Sequence, residues 1–335
     1  MKKILLLSCL LLCAGVFAGP GYHVTKTIPI GGEGGWDYLT IDSEARRLYV
    51  SHSTQVVVVD LDTDKIAGII PDTKGVHGIA LAPEFNRGFI SCGRANIAVF
   101  FDMKTLKVTG QVETGKNPDA ILYEPVNKIV FTFNGTSKDT TVIDAASGKV
   151  AATIPLGGTP EYMASDETGK VYVNIEDTNE VCEIDGKKLT VLRRFSLKPG
   201  EEPTGIGFDK KRKRIFSGCH NKMMTVLELE SGKILATVPI GAGVDGNGFD
   251  RGYAFSSNGA EGSLTVAGET SPGKFEVLET IPTQKSARTM AVDPKTHNIY
   301  LPAAEFGPAP EPTKENPKPR PAPLKGSFKI IVVEP

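Results

Sequence analysis

Seven times along the chain a short strand runs into the same kind of turn, and this repetition limits the possible folds more than any other feature. The segments are Thr27-Ile-Pro-Ile-Gly-Gly, Gly68-Ile-Ile-Pro-Asp, Gly110-Gln-Val-Glu-Thr-Gly, Ala152-Thr-Ile-Pro-Leu-Gly-Gly, Arg194-Phe-Ser-Leu-Lys-Pro-Gly, Ala236-Thr-Val-Pro-Ile-Gly and Glu279-Thr-Ile-Pro-Thr. Between them lie three further apolar runs rich in Val, Ile, Thr, Tyr and Phe. An acidic or proline turn separates the first two, as at Asp42, Asp166, Asp209 and Asp293, and the third closes on an acidic residue such as Asp60, Asp144 or Glu228. Four β-runs per repeat, with no helical periodicity, make a four-stranded antiparallel sheet. Such a sheet cannot cover both its faces alone, so the sheets must stack, and units of about 40 to 45 residues stack radially.

The pattern predicts an all-β, seven-bladed β-propeller. Residues 23 to 30 read as a last-type strand at the N-terminus, while the final repeat supplies only three strands: Arg288–Val292, Asn298–Leu301 and Phe328–Val333. The N-terminal strand is expected to complete the last blade beside Phe328–Val333 and so remove two frayed edges.

Lys2 and Lys3, the apolar stretch Ile4–Leu12 and the small-residue site Val16-Phe17-Ala18 read as a secretory signal over residues 1–18. The mature chain, 19–335, is then one domain in the periplasm or outside the cell. No later segment reaches the roughly 18 uninterrupted apolar residues of a spanning helix, so no transmembrane anchor is expected. With 38 Lys and Arg against 39 Asp and Glu, the chain lacks the basic excess of a phosphate-binding footprint, and nucleic acid is not an expected partner. Cys92, Cys182 and Cys219 are an odd number without local spacing and imply no disulfide framework. A monomer is expected.

The motifs Leu48-Tyr-Val-Ser-His-Ser, Val56-Val-Val-Val-Asp-Leu-Asp-Thr and Ala152-Thr-Ile-Pro-Leu-Gly-Gly resemble those of YVTN-repeat propellers, a family that includes YncE-like periplasmic proteins. The likeness runs from about Tyr22 to the end, with departures in the fourth repeat at Val171-Tyr-Val-Asn-Ile-Glu and in the sixth at Ser271-Pro-Gly. It implies the fold and an exported location. It implies no reaction, because that family includes sensors, surface modules and relatives of dehydrogenase subunits.

Function on such a scaffold sits on the loops at one end of the channel. Aligning the repeats on Asp42, Ala82, Glu124, Asp166, Asp209, Asp250 and Asp293 places the residue five positions earlier at the channel mouth. The resulting ring is Asp37, His77, Asp119, Glu161, Thr204, Asp245 and Arg288. Six of the seven ionise, and they differ from blade to blade, which suggests a specific ligand. The loops between second and third strands add His52, Asn134, Asn174, Glu176, His220, Asn221, Asn258 and Glu305 to that end. Wet channel mouths also carry charged residues that are merely solvated.

The expected function is an exported, non-catalytic module that binds a small polar molecule or a protein loop, with Arg288 pairing an anionic group. The alternative is a lactonase-type hydrolase with Ca2+ or another divalent cation in the channel. Glu161, Asn174, Glu176 and Asp245 are then the candidate ligands and His77 or His220 the base. No fixed-spacing metal motif, Gly-x-Ser-x-Gly elbow, haem-attachment motif or dinucleotide fingerprint is present. Asp245-Gly-Asn247-Gly-Phe-Asp250 faintly echoes a calcium loop but reads as turn chemistry. Trp36 is suited either to stacking on a ligand or to packing between blades. The proline-rich stretch 302–326 interrupts the last blade and is expected to be extended, as a cover for the ligand face, a partner-docking arm or a solvated spacer.

Overall fold

The computed structural model describes residues 19–313, 317 and 319–335; the secretory signal expected over residues 1–18 lies outside them. Seven four-stranded antiparallel sheets account for almost all regular structure. The first comprises Leu39–Asp42, Arg47–His52, Gln55–Asp60 and Lys65–Ile70, and the next five repeat this consecutive order. In the seventh, Ala291–Val292, Ile299–Ala303 and Lys329–Glu334 are joined by His23–Pro29. His23 pairs with Glu334 and Pro29 with Lys329, so the two ends of the chain close the ring as the strand count required.

The physical reason for seven units is visible at the seams. Each pair of neighbouring blades shares its own apolar cluster, and there is no single central core. Tyr49, Val58, Ile79 and Phe101 fill the seam between blades one and two, for example, and Ile28, Leu48, Phe328 and Ile330 the seam between seven and one. The middle strands are therefore apolar on both faces, as in the fully covered run Val56–Val59, whereas the outermost strand Lys65–Ile70 is largely solvent-facing. In four blades the turn after the third strand is set by one carboxylate. Asp60 Oδ1 accepts from the backbone N–H of Asp62 and Thr63, Asp102 and Asp185 repeat the pattern, and Asp144 Oδ1 accepts from the N–H of Ser147.

The stretch Asp245–Asp250 is not a turn. It lies in the inner strand Val244–Asp250, where its glycines let backbones meet: a Cβ on Gly246 would sit 2.8 Å from Met290 N, and one on Gly205 in the neighbouring inner strand 2.3 Å from Asn247 N. Cys92, Cys182 and Cys219 are free and buried, and burial pushes all three thiols up.

Residues 302–326 are anchored at their base. Gly307 N–H donates to Ala322 O at 3.1 Å, Leu324 N–H to Glu305 O at 2.7 Å and Gly326 N–H to Gly32 O at 2.9 Å. Phe306 lies against Trp36, with ring centroids 6.0 Å apart. Residues 308–313 beyond this base are exposed. No helix among the described residues is long and apolar enough to cross a membrane.

Candidate functional site

The inner strands begin at the same end of the channel, and in blades one and two a serine of the second strand holds that start in place. Ser51 Oγ accepts from Asp37 N–H at 2.7 Å, and Ser91 Oγ from Gly78 N–H at 2.9 Å. Thr289 Oγ1 donates across the seam to Asp37 O at 2.7 Å. The first residues of the inner strands are thus fixed by backbone bonds, and their side chains converge.

They form one chain of contacts over five consecutive blades, from the sixth to the third. Arg288 Nε donates to Asp245 Oδ2 at 2.5 Å and Arg288 Nη2 to Asp37 Oδ1 at 3.1 Å. His77 Nδ1 lies 2.6 Å from Asp37 Oδ2 and 2.7 Å from Asp119 Oδ1. Burial pushes His77 down, but the carboxylates of Asp119 and Asp37 outweigh it and raise the imidazole to about 10. Asp245 is raised as well, but for it burial is the larger influence. Burial, reinforced by Asp37 and Asp119, outweighs Arg288 and raises it to about 7.

Glu161 completes the mouth from the fourth blade. It is half-buried without a cationic partner among the described residues, so burial and the nearby Asp119 and Asp245 raise its carboxyl well above the usual range. Tyr38 meets it from the opposite side of the ring, its hydroxyl 3.2 Å from Glu161 Oε1. The Tyr38 and Tyr162 rings, 4.9 Å apart, plug the channel at this level. Tyr38 packs with the apolar cluster of blades three and four although it belongs to blade one.

Six of the seven ring positions therefore come together. Thr204 is the exception in character: its hydroxyl is buried and faces Gly218 O and Val244 O, which makes it a seam residue.

The residues expected from the second-to-third-strand loops divide in two. His52, Asn134, Asn174 and Asn258 are buried and do not present polar atoms to the mouth. Asn134 and Asn258 hold equivalent positions: the first donates to Asp139 and Thr141, the second to Ser263 and Thr265, tying second strand to third. Asn174 donates to Thr204 O at 2.7 Å and accepts from Ser217 Oγ at 3.0 Å, so it bridges blades four and five. His52 stacks on Phe328 at 4.7 Å beneath the Gly31–Gly35 loop, and burial pushes its pKa down. The three amides are consumed by the scaffold, because a blade end covered on both sides must satisfy its own polar atoms, whereas the His52 ring nitrogens are buried without a hydrogen-bond partner among the described residues.

Glu176, His220 and Asn221 remain accessible and line a separate groove of about 1070 Å3 with Lys198, Glu201 and Glu202. The Glu305 side chain is exposed at the base of the proline-rich arm. Asn174 is thus withdrawn from the expected metal set of Glu161, Asn174, Glu176 and Asp245. The donors that do gather are Asp37, His77 and Asp119, whose ligand atoms lie within 4.8 Å of one another.

Two features of the site were missed in the sequence. Tyr38 gives no signal there, since its partner is a distant blade. Arg94 does: it occupies the same loop position in blade two that Asp177 and Asn221 occupy in theirs, one residue after the position of Glu176 and His220. It lines a pocket of about 190 Å3 with Trp36, Asp37, His77 and Arg288.

No family model matches the chain. A solved structure of hydrazine synthase from Kuenenia stuttgartiensis superposes with a TM-score of 0.70 over 84% of this chain and 95% of that one, at 15% identity. The fold is a β-propeller. At that identity the likeness concerns the fold alone. In sequence, the propeller is 25% identical over 199 residues to antigen Lp49 of Leptospira interrogans, a match spanning 55% of this chain and 43% of that protein. The propeller chain thus matches less than half the length of this curated relative.

Proposed function

We propose that this protein is an exported, non-catalytic propeller of the YVTN-repeat kind that binds a small polar molecule or a protein loop at the channel mouth. One observation carries the reading: Asp245, Arg288, Asp37, His77 and Asp119, from five different blades, form a single bonded arc over a channel closed by Tyr38 and Glu161. A scaffold needs no such arc, since the apolar seams already hold the blades. A rigid, partly desolvated set of donors and acceptors at a concave mouth is what selects a polar ligand. The Lys2, Lys3 and Ile4–Leu12 pattern supports export.

The test is a thermal-shift screen of small polar compounds against the mature chain. Compounds that raise the melting temperature of the wild type are expected to lose their effect in Asp119→Asn and to keep it in Glu201→Gln, a change in the separate groove. The reverse result would move the site to the groove between blades four and five.

A second reading, a divalent-cation hydrolase, has one observation in its favour, the clustering of Asp37, His77 and Asp119. Two carboxylates and an imidazole fit a divalent cation, which would supply polarisation of a bound carbonyl. The same three contacts are accounted for by a protonated His77 shared between two carboxylates, and the binding reading is preferred for that reason. Elemental analysis of protein purified without chelator decides between them. Near-stoichiometric metal whose removal lowers the melting temperature favours the hydrolase, and a metal-free, chelator-insensitive protein favours the binding module.

A further inference from the structure

Arg288 uses three of its five N–H donors within the ring: Nε on Asp245, Nη2 on Asp37 and on Trp36 O. Its Nη1 has no protein partner among the described residues and belongs to a side chain that lines the 190 Å3 pocket. Arg94 borders the same pocket from blade two, is exposed, and has no ion-pair or hydrogen-bond partner among the described residues. Its stem lies against Gly75, where an added Cβ would come within 2.6 Å of Arg94 Cγ. Three other cations on this face are matched: Lys138 pairs with Asp177, Arg194 with Glu180 and Lys325 with Glu33. An unmatched guanidinium beside a half-satisfied one, with Asp37 as the pocket's carboxylate already shared by two cations, leaves N–H donors of both arginines unused at this edge of the mouth.

Resting on the channel-mouth reading, we infer that the pocket between Arg94 and Arg288 takes a small carboxylate, with Trp36 as its wall. Guanidinium groups present paired N–H donors that match the planar carboxylate fork. A singly charged anion pairs with the unmatched Arg94, whereas a phosphate dianion would bring a second charge against Asp37 in the same pocket. Trp36 gives the site its own reporter, for it is the chain's single tryptophan and forms part of the lining.

The experiment is a titration of Trp36 emission in the mature chain with hexanoate, butyrate, inorganic phosphate and putrescine, repeated in Arg94→Gln and Arg94→Lys. A saturable response to the carboxylates is expected. It should weaken about tenfold or more in Arg94→Gln and less in Arg94→Lys, with the melting temperature of both variants near wild type. Carboxylate affinity unchanged in Arg94→Gln overturns the assignment. So does phosphate binding more tightly than either carboxylate, or a response to putrescine alone; these outcomes leave the channel mouth as the binding site. If no compound here and none in the polar screen binds, the channel-mouth reading falls with it.

Discussion

The Tyr38 hydroxyl donates to Glu161 Oε1 at 3.2 Å across the mouth of the channel, joining the first blade to the fourth. Tyr38 is buried and Glu161 half-buried, and burial with the surrounding aspartates raises the Glu161 carboxyl well above its usual range. Glu161→Gln preserves the shape and mimics the neutral form that the upward shift favours, so it should leave stability within about 1 kcal/mol of wild type at neutral pH or raise it. Tyr38→Phe should cost about 0.5–1.5 kcal/mol through the lost hydrogen bond, and Tyr38→Ala about 3–5 kcal/mol by opening the plug. Urea unfolding of the three variants measures these differences. A Glu161→Gln protein markedly weaker than wild type would mean that the carboxylate is charged and paired.

His77 sets a pH dependence whose sign is fixed by the upward shift. An imidazole raised from 6.5 to about 10 in the folded protein stabilises it fully below pH 6.5, and this contribution disappears as pH rises through about 10. Wild type should therefore lose on the order of 2–4 kcal/mol over that window, and His77→Gln should lack this loss while starting from lower stability near pH 6. Melting curves at half-unit intervals from pH 6 to 10.5 give both slopes. Parallel slopes in the two proteins would show that His77 is not held as the cation by Asp37 and Asp119.

The blades were legible in the sequence because strand runs, Asp turns and proline turns recur with one period, and each recurrence has a local cause such as the Asp60 carboxylate fixing its own turn. The mouth was legible for the same reason: one register position per repeat yields Asp37, His77, Asp119, Glu161, Asp245 and Arg288, and all six converge. What the register cannot give is the direction in which a polar side chain spends its bonds. Asn134, Asn174 and Asn258 stand where a ligand-facing asparagine would stand, yet the buried blade end claims their amides. Tyr38 crosses the channel, and no spacing within its own repeat encodes that reach.

Ring closure rests on His23–Pro29, and Ile28 is its anchor, almost fully buried in the seam between blades seven and one. Ile28→Ala should destabilise the protein by about 2–4 kcal/mol through lost burial and the cavity left behind. Val24→Ala, 40% exposed on the same strand, should stay within about 0.5 kcal/mol of wild type. Equal, small effects of both changes would mean that the strand is not part of the cooperative unit. Removing residues 19–29 altogether should also uncover the edge of Lys329–Glu334 and promote self-association, visible by light scattering.

The proline-rich arm has a fastened base and an exposed course, and the two should respond differently to change. Replacing residues 308–321 by a short Gly-Ser turn keeps the bonds of Gly307 to Ala322 and of Leu324 to Glu305, as well as Phe306 on Trp36. The melting temperature should therefore move by no more than about 1–2 °C, because residues 308–313 bury little and a flexible turn closes the remaining gap at small entropic cost. Phe306→Ala acts on the base and takes away the Trp36 contact that borders the Arg94 pocket, so it should red-shift Trp36 emission while the tip replacement does not. Trp36 emission unchanged in Phe306→Ala would separate the arm from the mouth and reduce it to a solvated spacer.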